Sequence, residues 1–359
     1  MKAAYIESHG SADDIRYGEL PDPEPASGEV LVRVEAVAVN SVDTFVRSGA
    51  WRTPVTFPLV VGRDLVGTVV RVGPDAPALA TGDPALATGD PALATGDPAL
   101  ATGYPVRPGD LVWTNSAGYG GRPGATAELT RVQRDRLYPL PSGADPVRFV
   151  AAVHPGATAF GALAGRARLR AGETVAVVGA NGSVGMCLIQ VAAAYGAEVI
   201  ASVRDAGSAP RLRELGARTV VTSGDAEHVI GALRERASDG VDVLVDTTGR
   251  MGLADVPGLL RPRGRVVLLA GRDRRIDLDQ WAFYTRELSL IGFIVSGLTA
   301  AELRDAAAWI NGTYPASPLT VSVGQVLTFA DAGHAHHVLE RGELPRMPDR
   351  TVGRLVLRQ

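Results

Sequence analysis

Residues 173–203, ETVAVVGANGSVGMCLIQVAAAYGAEVIASV, constrain the fold of this chain more than any other stretch. An apolar run of strand length is followed by Gly179, Gly182 and Gly185 at every third position, then by a run with helical apolar spacing, then by a second strand-like run. Glycine here permits a tight turn and lets backbone N–H groups come close to a ligand. The helix that starts near Ser183 aims its positive end at the same place, and a pyrophosphate is the group that suits it. Strand, glycine turn, helix and strand in this order predict a dinucleotide-binding unit. Gly179, Asn181, Gly182, Ser183, Val184 and Gly185 are its expected contacts.

The second strand ends in Ser202-Val203-Arg204. A cofactor with a free ribose 2'-hydroxyl is usually held by an acid at this tip, whereas a 2'-phosphate needs positive charge. Ser202 and Arg204 can supply a hydroxyl and a guanidinium, so the expected cofactor is NADPH. Asp205 follows directly and can pair with Arg204 or, in a shifted register, take the acidic role; Arg204 can also be an ordinary solvated charge. The alternation continues with strand-like runs to about Ile294, which implies a doubly wound parallel sheet of the Rossmann type. Thr248, Gly249 and Gly271 fall at the carboxyl ends of later strands and are expected to line the nicotinamide side.

With 359 residues the chain is too long for one ordinary core, and two domains are expected. Residues 1–140 read as mainly β, with short alternating runs broken by Gly and Pro. From about Leu298 a helical stretch and the strand RLVLR are expected to return to this first domain. Thirty-six basic and 39 acidic residues give a net charge of −3, which offers no field for nucleic acid or anionic lipid. No run approaches the roughly 18 apolar residues of a membrane helix, so the expectation is a cytoplasmic protein with a small-molecule substrate. Cys187 is the single cysteine and excludes both an intrachain disulfide and a cysteine-rich zinc lobe; it reads as a buried small apolar residue. Residues 78–103 repeat Ala-Leu-Ala-Thr-Gly every seven residues. Proline within the units argues against a coiled coil and for a duplicated surface loop.

The segments PEPASGEVLVRVEAVAVNSVDTFVRSG, PLVVGRDLVGTVVRVG, RPGDLVW, the glycine turn and ELSLIGF together resemble the medium-chain dehydrogenase/reductase superfamily, and within it the zinc-free quinone oxidoreductases. The resemblance spans nearly the whole chain outside the repeat. It implies a GroES-like, mainly β catalytic domain from residues 1–148 and 295–359, a Rossmann NADPH domain from 149–294, and an active site in the cleft between them. It further implies an edge-to-edge homodimer through residues 288–294. Thr158, in the segment PGATAF, is expected to reach the cofactor; His154 is left without a role.

Zinc alcohol dehydrogenases of the superfamily place a cysteine where this chain has Ser41 and a Gly-His-Glu where it has Gly62-Arg63-Asp64. Without those ligands no metal is expected, and an acceptor already activated by conjugation, a quinone or an enone, is favoured over an alcohol. Asn40 and Asp43 match the family's Asn-x-x-Asp motif as active-site residues, with Asp43 equally suited to serve as a structural anchor. Arg63 either binds a substrate oxyanion or forms a salt bridge with Asp64 or another acid. Trp51 stands where related enoyl reductases have a tyrosine and is expected to form a stacking wall. Tyr119, Trp281, Phe283 and Tyr284 are secondary candidates for the pocket, and His334, His336 and His337 read as a helix surface. A dedicated enoyl reductase of a polyketide-like intermediate, and an NADPH-binding protein without turnover, remain open alternatives.

Overall fold

A computed structural model of the chain describes residues 1–74, 104–222, 226–271, 275 and 277–359; the repeat lies outside them. The short β-branched runs of the first part become β1 (Lys2–Ile6), β2 (Arg16–Glu19), β3 (Glu29–Ala38), β4 (Leu59–Val60), β5 (Asp64–Val72), β6 (Leu111–Thr114), β7 (Leu129–Gln133) and β8 (Tyr138–Pro139). Between β3 and β4 lies α1 (Ser41–Ser48), started by a capping box in which Asp43 accepts from the Asn40 backbone N–H at 2.8 Å. Gly49, at φ 72°, ends it in the left-handed region that glycine enters without strain.

After α2 (Pro146–Phe160) the chain alternates: β9 (Thr174–Val178), α3 (Ser183–Ala194), β10 (Glu198–Val203), α4 (Ala209–Glu214), β11 (Thr219–Thr222), α5 (Ala226–Arg236), β12 (Val241–Asp246), β13 (Leu260–Leu268), α6 (Gln280–Thr285) and β14 (Ser289–Gly292). The strands form one parallel sheet in the order β11-β10-β9-β12-β13-β14. The order reverses at β9, so its carboxyl end opens on the crevice where ligands of such sheets bind. Alternation along β9 divides its side chains: Val175 and Val177 pack with Met186 and Cys187 of α3, and Ala176 and Val178 with Leu244 and Val266 on the opposite face.

The final segment contains α7 (Ala300–Thr313), β15 (Val323–Thr328), α8 (Ala332–Arg341) and β16 (Arg354–Arg358). β16 lies between β15 and β3, in a sheet ordered β15-β16-β3-β5-β6-β8, with β7 also pairing with β3. The architecture is a mainly β domain, GroES-like as the resemblance implied, with a Rossmann domain, as the strand and helix alternation implied.

Two expectations need correction. Residues 146–167 are long and apolar enough by composition to cross a membrane, yet 78% of that window is buried inside the protein, where α2 is a core helix between the two sheets. His336 is not on a surface. It shares the inner face of α8 with Ala332 and Ala335, and burial pushes its pKa down to about 3. His334 is exposed, and His337 lies 2.7 Å from Asp13.

Candidate active site and cofactor cleft

The turn after β9 is built so that backbone approaches backbone. Gly179 has φ 79°, and a Cβ there would lie 2.4 Å from the Thr247 hydroxyl; one on Gly185 would lie 2.5 Å from the Gly179 carbonyl. Neither position admits a side chain. A Cβ on Gly182 would meet only the Gly179 carbonyl, at 3.6 Å, so this glycine faces open space. Gly182 is the N-cap of α3 and brings no side chain to the first N–H groups. A cleft of about 320 Å³ opens here, lined by Gly182, Ser183, Val184, Gly185, Ser41 and Thr247. The Asn181 carbonyl accepts from Val352 N–H at 3.1 Å, which fastens the return segment to the turn.

At the tip of β10 the residues separate. Ser202 is buried, its carbonyl accepting from the backbone N–H of Gly179 and Ala180, while Arg204 is exposed. Among the described residues Asp205 does not pair with Arg204 but caps the next turn by accepting from Gly207 N–H at 2.9 Å. Arg350, from the return segment, stands at the same corner: a Cβ on Gly207 would lie 2.6 Å from its Cγ. Sequence reading had no signal for Arg350, because its place depends on the distant crossing of β16.

At the ends of β12 and β13 the two threonines differ. Thr248 donates its hydroxyl and its N–H to Asp246, whereas Thr247 lines the cleft. Gly249, at φ 63°, packs on the Ala270–Gly271 backbone, with Gly271 N 2.9 Å from where a Cβ would be. Thr158 is buried and donates its hydroxyl to the His154 carbonyl at 2.8 Å.

On the catalytic-domain side a cluster of buried charged and polar groups gathers where β3, β5, β16 and α2 meet. Arg354, the first residue of β16, donates to Asn40 Oδ1 at 2.7 Å and reaches within 3.5 Å of the Ser183 hydroxyl. Asn40 Nδ2 in turn donates to Asp64 at 2.9 Å. Asp64 Oδ1 faces His154 Nδ1 at 3.4 Å. Burial, reinforced by the Asp64 charge, pushes the Asp43 carboxyl up to about 7. Burial likewise lowers the pKa of Arg63 and Arg354, against the pull of Asp64 and Asp43.

Arg63 is 2% exposed and forms no ion pair with Asp64 among the described residues. Its Nε donates to the Asn115 carbonyl at 2.8 Å, and its guanidinium lies 5.2 Å from the Tyr119 ring centre. Trp51 meets Tyr119 edge-on at 6.3 Å, so the two rings form an aromatic pair. Trp281 and Tyr284 are 73% and 74% exposed on α6, and Phe283 packs against the core of the Rossmann sheet. Arg354 and His154, which sequence reading did not select, are at the centre of the cluster.

The donor set does not suit zinc, which needs thiolate, imidazole or carboxylate ligands around it. Ser41 offers a hydroxyl and Arg63 a guanidinium, and among the described residues no three His, Cys, Asp or Glu side chains gather as ligands.

The model for the alcohol dehydrogenase GroES-like domain matches residues 26–142, and that for zinc-binding dehydrogenases matches residues 183–312. The chain is 28% identical over 346 residues to a quinone oxidoreductase of Mus musculus, with 95% of each chain covered. It is also 28% identical over 330 residues to an acryloyl-coenzyme A reductase of Metallosphaera sedula, covering 91% of this chain and 92% of the relative. A mycobacterial protein solved in complex with NADPH superposes with a TM-score of 0.78 at 27% identity, over 100% of both chains.

Proposed function

The chain belongs to the medium-chain dehydrogenase/reductase superfamily, among its zinc-independent quinone oxidoreductases, and from that premise we propose that it uses NADPH to deliver hydride to a quinone or an α,β-unsaturated carbonyl compound. The observation that carries this reading is the meeting of the glycine turn with the Arg354–Asn40–Asp64 cluster. It sets an anion-binding helix end beside buried cations and hydrogen-bonding side chains in one cleft.

The residues present fit the cofactor. Gly179, Gly182 and Gly185 leave room for a pyrophosphate against the start of α3, with Asn181, Ser183 and Val184 around it. Exposed Arg204, joined by Arg350, supplies the positive charge that a 2'-phosphate requires, above buried Ser202. Thr158, Thr247, Gly249 and Gly271 border the nicotinamide end, with Thr248 shaping the loop through Asp246. When bound, the cofactor supplies the hydride.

The chain's own task is to orient an acceptor and to stabilise the negative charge that develops on its oxygen. Arg63 is assigned to that task, Asn40, whose two amide N–H groups go to Asp64 and the Ala38 carbonyl, to holding Asp64, Asp43 to holding Asn40 in place, and Trp51 with Tyr119 to the wall against which a planar acceptor rests. A twofold dimer is part of the same reading: β14 is the edge of its sheet, its Leu290 is 40% exposed, and Trp281 and Tyr284 stand on the neighbouring α6.

The test is oxidation of NADPH and NADH by purified protein with a naphthoquinone and with a cyclic enone. NADPH-dependent turnover of either acceptor supports the proposal, and tight NADPH binding without turnover of any acceptor overturns it.

A further inference from the structure

His154 lies on α2, the helix that packs against β3, β5, β16 and α3 along the seam between the domains. Its Nδ1 is enclosed and 3.4 Å from Asp64 Oδ1, which is enclosed too, and among the described residues neither atom has a hydrogen-bond partner. A buried donor or acceptor left unpaired is unfavourable. Of the two imidazole tautomers, the one carrying its proton on Nδ1 turns this juxtaposition of orphans into an N–H facing a carboxylate. In reacting enzymes such contacts are commonly longer before substrate binds than afterwards. Nε2 is then the atom free to exchange a proton. It is not among the enclosed unpaired nitrogens, and the side chain keeps 12% of its surface exposed.

The carboxylate is held from its other side. Asp64 Oδ2 accepts from Asn40, Asn40 Oδ1 accepts from Arg354, and Arg354 reaches the Ser183 hydroxyl on the first turn of α3. One line of contacts therefore runs from the cofactor turn to the imidazole. The charged groups that bear on His154 are Asp64, Arg63 and Arg354. Burial keeps its pKa below the ordinary histidine value, Asp64 opposes that, and the two arginines add to it.

We propose that His154, oriented by Asp64, is the proton donor of the reaction, and that the substrate class it serves is the conjugated enone or enoyl compound. The proposal rests on the reading of the chain as an NADPH-dependent reductase. An enone gains a hydride at its β-carbon, its π electrons move toward the carbonyl oxygen, and an enolate forms. The α-carbon then forms a C–H bond with the proton on Nε2 of the imidazolium. Neutral imidazole is left and is reloaded from water. The double bond gains one hydride and one proton, and NADPH becomes NADP⁺. A quinone makes no such demand, because its reduced form takes its proton on oxygen from solvent.

Two measurements test this. The first needs no turnover: the ring C2–H resonance of His154, assigned by its loss in His154→Gln, is titrated in the cofactor-free protein. It should titrate at lower pH in Asp64→Asn than in the parent; an unmoved titration overturns the Asp64 contact. The second follows NADPH-driven reduction of a cyclic enone in D₂O. The parent should place deuterium on one face of the α-carbon. His154→Gln should lose at least tenfold more kcat on the enone than on a naphthoquinone and should give both faces. Equal losses on the two acceptors with stereochemistry retained would overturn the donor role while leaving the reductase reading intact. A parent inactive with both acceptors would instead overturn that reading. NADPH fluorescence on binding, measured for each variant, separates a folding defect from a lost proton donor.

Discussion

Asp43→Asn should stabilise the protein at alkaline pH and do little at acid pH, which is the reverse of what removing a charge from an ordinary salt bridge would do. The carboxyl is buried among Asp64, Arg63 and Arg354, and its pKa stands at about 7 against an ordinary 3.8. At about 1.4 kcal/mol for each tenfold change in proton affinity, the ionised form is disfavoured in the folded chain by about 4 kcal/mol. A carboxyl raised on folding binds its proton more tightly in the folded state. Its contribution to stability is therefore complete below pH 3.8 and declines as pH rises towards about 7. Roughly a third of the loss is present at about pH 5 and nearly all of it by about pH 8. Asparagine keeps an oxygen to accept the Asn40 N–H, now bonded at 2.8 Å, so the start of α1 survives. Urea unfolding of parent and variant, followed by tryptophan fluorescence from about pH 5 to 8, should show the gap in favour of the variant widening by about 3 kcal/mol. A gap that stays constant with pH, or a variant less stable at pH 8, would refute the reasoning.

Arg204→Ala should raise KM for NADPH about 10- to 100-fold while leaving NADH nearly unaffected, as expected for a lost charged hydrogen bond; equal effects on both cofactors would remove Arg204 from the phosphate site. Gly185→Ala drives a methyl group against the Gly179 carbonyl, 2.5 Å away, and should weaken NADPH binding measured by calorimetry, whereas unchanged affinity would show that the turn relaxes at no cost. Treatment with a chelator should leave turnover intact and elemental analysis should find no stoichiometric zinc; activity lost and then restored by zinc would overturn the metal-free mechanism. Leu290→Arg, on the exposed edge strand, should convert a dimer to monomers by light scattering, and a parent already monomeric at micromolar concentration would refute the edge-to-edge assembly.

The βαβ unit around Gly179 was legible because every determinant is local: strand, turn and helix follow one another within thirty or so residues, and each has its own composition. The charged cluster was legible only in part. Arg63 and Asp64 are neighbours in sequence, which invited a salt bridge, but successive side chains of extended chain leave on opposite sides. Arg63 went to Asn115 and Tyr119, and Asp64 to Asn40 and His154. Thr247, which had no expected role, lines the cleft beside Thr248 for a similar reason, since at a strand end one position decides which side chain faces the crevice. Arg354 was hidden altogether. In RLVLR it reads as a polar strand terminus, and its meaning comes from Asn40, 314 residues away.

That separation also bears on how the molecule is made. The Rossmann sheet is drawn from one uninterrupted part of the chain, 174–292, and can close as soon as that part has left the ribosome. β3 is synthesised far earlier; β7 covers Glu29–Arg33 on the flank away from β5, but Ala36–Ala38 of that same flank has no partner until Val356 meets Ala38. At about 5–20 residues per second, many seconds pass between the two. For that interval the older domain presents an unpaired end of a β-strand, a short template for wrong pairing. The vulnerable intermediate of biogenesis is thus the half that emerges first, and the C-terminal strand acts as the closing seam of the N-terminal domain.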